Sequence, residues 1–109
     1  MSYDERIASV GAAISIMEGM HCVPSARAKT LCWVNNNPGN ISVHANKKYP
    51  TLQAGWKGVF DLLTAYRERF HYTLEEAIGH WAPPSDGNNT AVYLQFVEDY
   101  TGIKRTEKL

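Results

Sequence analysis

The 109-residue sequence carries its acids at Asp4, Glu5, Glu18, Asp61, Glu68, Glu75, Glu76, Asp86, Glu98, Asp99 and Glu107, and Glu18 stands apart from the rest. The others lie in polar stretches and read as solvated carboxylates. Glu18 closes an apolar stripe of helical period and is followed by Gly19. The carboxyl-terminal end of a helix is the negative end of its dipole, so a carboxylate there is disfavoured and its pKa should rise. A carboxyl that keeps its proton near neutral pH can donate it to a leaving oxygen, which is what cleavage of a glycosidic bond requires. The plainer reading of such a residue is a helix-terminal carboxylate that meets a basic side chain. Most glycosidases add a second carboxylate as nucleophile or as base for water. No Asp or Glu lies between Glu18 and Asp61, so Asp61 is the reserve second acid, with Thr51 or a loop asparagine as an alternative means of placing a water.

The residues that follow are rich in uncharged hydrogen-bonding groups, above all Asn35-Asn36-Asn37-Pro38-Gly39-Asn40. Amides and backbone N–H groups suit a polar, neutral ligand such as a sugar. Asn37, Asn40 and Thr51 are candidates for contacts to hydroxyl and N-acetyl groups, although Asn-Pro-Gly is also an ordinary turn. Tyr49, Trp56 and Trp81 are candidates for stacking on sugar rings, and the two tryptophans read more readily as core. His44, His71 and His80 with Cys22 and Cys32 form no compact ligand spacing, so neither a metal nor another cofactor is expected. A cysteine–histidine hydrolase pair has no better support, and the two cysteines read as small buried hydrophobes rather than a disulfide.

The elements that position these residues follow from periodicity. Ile7, Val10, Ile14 and Met17 predict a helix from Tyr3 to Gly19. His21 to Asn40 reads as a structured loop. Ile41-Ser42-Val43-His44 and Tyr49-Pro50-Thr51-Leu52, flanking Ala45-Asn46-Lys47-Lys48, predict a small hairpin whose second arm Pro50 confines to an edge. After Gly55, the stripe Trp56, Val59, Phe60, Leu62, Leu63, Tyr66 and Phe70 predicts a central helix. Thr73 caps a short helix that ends near His80 and Trp81, before Pro83-Pro84. Asn88 or Asn89 caps a last helix with Val92, Tyr93, Phe96, Val97 and Tyr100 on its buried face, ending at Gly102. Residues 103–109 read as a frayed tail.

Length and charge bound the function classes. A chain of 109 residues with 44% hydrophobic residues fits one domain spanning 1–109. Eleven Lys and Arg balance eleven Asp and Glu, which argues against a nucleic-acid partner. The apolar run after Arg6 stops at Glu18, short of the ~20 residues of a membrane span. The acidic start, with no cleavable apolar segment, reads as a chain without a secretory signal, made in the cytoplasm.

Glu18-Gly19, the Asn35 to Ile41 run, Tyr49-Pro50-Thr51 with Gly55, Trp81-Ala82-Pro83-Pro84, Asn88-Asn89-Thr90 and Tyr93 together resemble a family of phage and prophage lysozyme-like proteins. That family includes virion-associated structural proteins and peptidoglycan-degrading transglycosylases. The resemblance runs from about Ile14 to Gly102 and implies a fold class of α+β, mostly helical: a small lysozyme-like domain with a short β-hairpin after the first helix. It also implies that the glutamate ending the first long helix, here Glu18, is the catalytic acid. Similar enzymes with a single glutamate are lytic transglycosylases, in which that residue protonates the leaving group and then assists attack by the sugar's own hydroxyl. The expectation is a monomer acting on the MurNAc–GlcNAc β-1,4 bond of a peptidoglycan strand, made in a bacterial host and acting at the cell wall or in the virion. The rival expectation is a catalytically silent module of the same kind that binds a saccharide, a virion protein or a host protein.

Overall fold

A computed structural model describes residues 1–20, 31–41 and 47–109. Ser2 opens the first helix, α1 (Tyr3–Glu18), by accepting the Glu5 N–H at 3.2 Å. Gly19 ends it with φ 106°, a left-handed conformation that costs glycine little. A single turn, α2 (Leu31–Val34), falls inside the stretch expected to be loop. The central helix, α3 (Leu52–Glu68), starts three residues before Gly55, because the Thr51 hydroxyl accepts the Ala54 N–H and caps it. A reciprocal box between Thr73 and Glu76 starts α4 (Leu74–Trp81), and the Asn89 side chain starts α5 (Thr90–Thr101). A 3-10 turn, Pro84–Asp86, joins α4 to α5.

The α+β expectation is overturned. Among the described residues there is no strand, only one isolated antiparallel bridge between Thr73 and Lys108. The expected second arm of the hairpin instead holds the cap and first residue of α3, since a threonine hydroxyl aimed along the chain competes successfully with strand pairing. Residues 42–46, which carry most of the expected first arm, lie outside the described residues. So does Cys22, and with it the reading of the two cysteines as unpaired.

The core is made where α1 meets α5 and α3, and where α4 meets α5. Ile7, Val10, Ala13 and Ile14 of α1 are buried with Val59 and Leu63 of α3, Leu74 and Ile78 of α4, and Tyr93 and Val97 of α5. Each buried Val, Leu or Ile side chain contributes roughly 1.5–3 kcal/mol before ordering costs. Four expected apolar-face residues are exposed instead: Phe60 on α3, Phe70 past its end, and Val92 and Tyr100, which flank the buried face of α5 that Leu94 and Thr101 complete. Residues 103–109 are docked rather than frayed. Ile103 and Leu109 are buried, the Leu74 and Glu75 N–H groups donate to Glu107 and Arg105 carbonyls, and Arg6 pairs with Glu107 at 3.3 Å. Two apolar anchors at the ends of the segment outweigh its polar middle.

No helix among the described residues is long and apolar enough to cross a membrane. Close approach of α3 to the asparagine loop requires Gly55, where a Cβ would overlap the Asn36 carbonyl oxygen. Gly55→Ala should therefore destabilise the protein by ~1–3 kcal/mol, the range for overpacking. Chemical denaturation would measure it, and an unchanged midpoint would refute the close approach.

Candidate functional site

Glu18 ends α1 half-buried, and each carboxylate oxygen has its own partner. The Tyr93 hydroxyl donates to Oε2 at 2.7 Å, and the Asn40 side-chain amide donates to Oε1 at 3.4 Å. The Cys32 thiol donates to the Glu18 carbonyl oxygen at 2.9 Å, which satisfies one of the free carbonyls at the end of α1. Burial raises the Glu18 pKa, and the hydrogen bonds from Tyr93 and Asn40 oppose that rise without reversing it. Desolvation, more than the helix dipole, thus gives the carboxyl its tendency to hold a proton.

The same burial fixes the neighbours. Tyr93 is driven far above the ordinary phenol range, by burial first and then by the Glu18 charge, so its hydroxyl stays protonated and available to donate. Burial and the Glu18 charge push the Cys32 thiol up to about 11, which leaves it a thiol at neutral pH and a poor nucleophile. Asn40 holds a left-handed φ of 47°, which asparagine tolerates. Its Oδ1 is buried and has no hydrogen-bond partner among the described residues. Half a turn of the carboxamide would set that acceptor opposite Glu18, the arrangement that a protonated carboxyl needs.

Glu18 opens onto a cavity of about 410 Å³ lined by Asn40, Tyr66, His80, Trp81, Asp86 and Asn88, with Gly39, Ile41 and Leu62. Three elements hold its walls. Trp81, at the end of α4, donates its indole N–H to the Gly39 carbonyl at 3.1 Å, and a Cβ on Gly39 would lie 2.5 Å from the indole ring. Glycine at 39 therefore lets the loop lie flat against the tryptophan. His80 stacks on Tyr72 at 4.6 Å between ring centroids, and Tyr66 meets both Tyr72 and Trp81 edge-on. Burial, then Tyr72, raises the Tyr66 pKa.

Of the residues singled out from sequence, the structure brings Glu18, Asn40 and Trp81 to this cavity and does not bring the others. Asn37 is fully buried, donates to the Ile41 and Lys47 carbonyls and accepts the Ile41 N–H, each at 2.9 Å. Its amide ties the loop together and leaves both donor hydrogens used. Thr51 is the cap of α3, and Tyr49 lies over Gly58 with Lys47 above its ring. Trp56 lines a separate surface groove with Phe60. Asp61, the reserve acid, is paired with Lys57 at 2.6 Å and lines a different groove. The carboxylate that does share the cavity is Asp86, which the sequence places among the solvated acids, together with His80 and Asn88, which it offers only in a rejected ligand set and as a helix cap. The one available signal was Pro83-Pro84 with Gly87, a rigid turn able to hold a side chain in one place. Among the described residues no group of His, Cys, Asp and Glu is arranged to hold a metal ion.

Comparison with known proteins finds no match: no family model, no curated protein and no solved structure is significantly similar to this chain.

Two outcomes follow from the Glu18 environment. A carboxyl whose pKa is raised by folding stabilises the fold while protonated, and that contribution is lost as pH rises through the folded-state pKa. Measured against Glu18→Gln, which keeps an acceptor for Tyr93 and does not titrate, the melting temperature of the wild-type protein should fall from pH 4 towards neutrality. Parallel melting curves across that window would contradict the assignment. Tyr93→Phe, which removes a hydrogen bond to the anion, should move the Glu18 titration to higher pH, as read by carboxyl carbon NMR.

Proposed function

We propose that this protein cleaves the β-1,4 bond between N-acetylmuramic acid and N-acetylglucosamine in peptidoglycan, with Glu18 as the general acid. The observation that carries this reading is a carboxyl of raised pKa, held by Tyr93 and Asn40, at the wall of a polar cavity. A neutral sugar suits that cavity, whose amides and indole supply hydrogen bonds and a stacking face. The resemblance of the Glu18, asparagine-loop and Trp81 segments to phage lysozyme-like proteins supports the choice of substrate.

Glu18 gives its proton to the bridging oxygen as the bond from that oxygen to C1 of the muramyl residue breaks. With the neighbouring sugar released, the muramyl C6 hydroxyl attacks C1 and returns its proton to Glu18. This is lytic transglycosylation, and it leaves a 1,6-anhydro end. Asn40 acts as a positioning residue for the acid, and Trp81 offers its ring to the sugar. The enzyme would work at the cell wall or from a virion, as a monomer.

Digestion of purified peptidoglycan, with mass spectrometry of the released muropeptides, tests the proposal. Wild type should release anhydro-muropeptides, and Glu18→Gln should lower release by ~10²–10⁴-fold, the usual worth of a general acid. If wild type and variant are equally silent while both are folded and bind glycan, the protein is a binding module.

A further inference from the structure

We propose that Asp86 is the base that admits water to the reaction, so that the cavity hydrolyses part of the glycan instead of closing every muramyl end on itself. This rests on the reading of Glu18 as the acid. Asp86 is the last residue of the 3-10 turn after α4 and lines the same cavity as Glu18.

The backbone around Asp86 is held at several points. The Asp86 N–H donates to the Pro83 carbonyl at 3.1 Å, and the Gly87 N–H donates to the Pro84 carbonyl at 3.0 Å. The Asn88 side-chain amide reaches the Pro83 carbonyl at 3.3 Å, and the Thr90 hydroxyl reaches the Ala82 carbonyl at 2.7 Å. Two prolines fix φ on one side, and Gly87, at φ 81°, makes the left-handed bend on the other. The Asp86 carboxylate itself has no hydrogen bond or ion pair to any described residue and is exposed to water. A rigid turn thus presents an unengaged carboxylate to the cavity. Nothing in the local packing employs it, unlike Asp61, which is paired with Lys57.

Glu18 and Asp86 sit in opposite environments. The Glu18 carboxyl is sheltered against Tyr93 beside the bond to be cut, while the Asp86 carboxylate stands in water, where an attacking water molecule can reach it. In the hydrolytic step Glu18 protonates the bridging oxygen as its bond to C1 breaks. A water molecule lodged between Asp86 and C1 forms the new C1–O bond and gives its proton to the Asp86 carboxylate. Solvent then carries a proton from Asp86 back to Glu18. The product is a reducing end, one water heavier than the anhydro end. His80 is the other basic group at the cavity, but its ring is stacked on Tyr72.

Peptidoglycan digested in ¹⁸O-water reports the two routes separately, because only water attack labels the new end. Wild type should give labelled reducing ends beside unlabelled anhydro ends. Asp86→Asn should lower the ratio of labelled to anhydro ends ~10²-fold, the lower end of the range for loss of a general base. The anhydro ends come from the same folded protein and report that the variant is intact. Asp86→Ala in sodium azide should form glycosyl azide, since the small anion needs no base. An unchanged ratio in Asp86→Asn, or a ratio that collapses in His80→Gln instead, overturns the assignment of Asp86. Anhydro ends alone from wild type, abolished by Glu18→Gln, overturn it as well while leaving Glu18 as the acid. No release by wild type removes the Glu18 reading and this one together.

Discussion

The hydrogen bond from Tyr93 to Glu18 is the constraint on which the candidate site depends. Burial of Tyr93 between α1 and α5 keeps its hydroxyl protonated, so beside a carboxylate it acts as a donor. That donor makes it tolerable to draw a carboxyl into the edge of the α1–α5 interface at all, since an ionisable group taken out of water without a partner is costly. Desolvation still exceeds what Tyr93 and Asn40 return, and the surplus is expressed as a raised pKa rather than as a broken fold. The acid character of Glu18 is therefore the balance of two opposed effects, set by how tightly two helices pack.

The asparagine loop divides its amides between two tasks. Asn37 spends its donors on the backbone of its own loop and is sealed from solvent, while Asn40, three residues on, turns its side chain to the cavity. Asn36 and Asn40 both hold left-handed backbone, which asparagine tolerates better than most side chains. Gly39 and Gly55 then let the loop approach Trp81 and α3 closely enough for the cavity wall to form.

Much of this was legible in the sequence, and the failures share a cause. The extents of α1, α4 and α5 could be read because capping residues and left-handed glycines mark their ends by local chemistry. Glu18 could be read because an acid closing an apolar stripe is conspicuous against ten acids in polar surroundings. Asp86 could not, because the turn that aims it is defined by hydrogen bonds to Ala82 and Pro83 that no spacing rule reveals. The hairpin was misread because Tyr49 to Leu52 alternates as a strand does, while the Thr51 hydroxyl decides the matter for a helix start. Phe60, Phe70, Val92 and Tyr100 read as core and are exposed, because a stripe of large apolar residues looks the same whether or not a partner helix covers it.

The docked carboxyl-terminal segment and the pairing of α1 with α5 have a consequence for how the molecule comes into being. Glu18 and Tyr93 stand 75 residues apart in sequence, and Arg6 and Glu107 stand 101 apart. During synthesis α1 can pack against α3 before α5 is made, but the part of its stripe that α5 covers, with the flank of Glu18, stays open until α5 has left the ribosome. The proton-holding environment of Glu18 accordingly arises only once α5 docks and brings Tyr93 to it. An incomplete or partly opened molecule carries a glutamate in water, and with it none of the acidity on which the proposed chemistry turns.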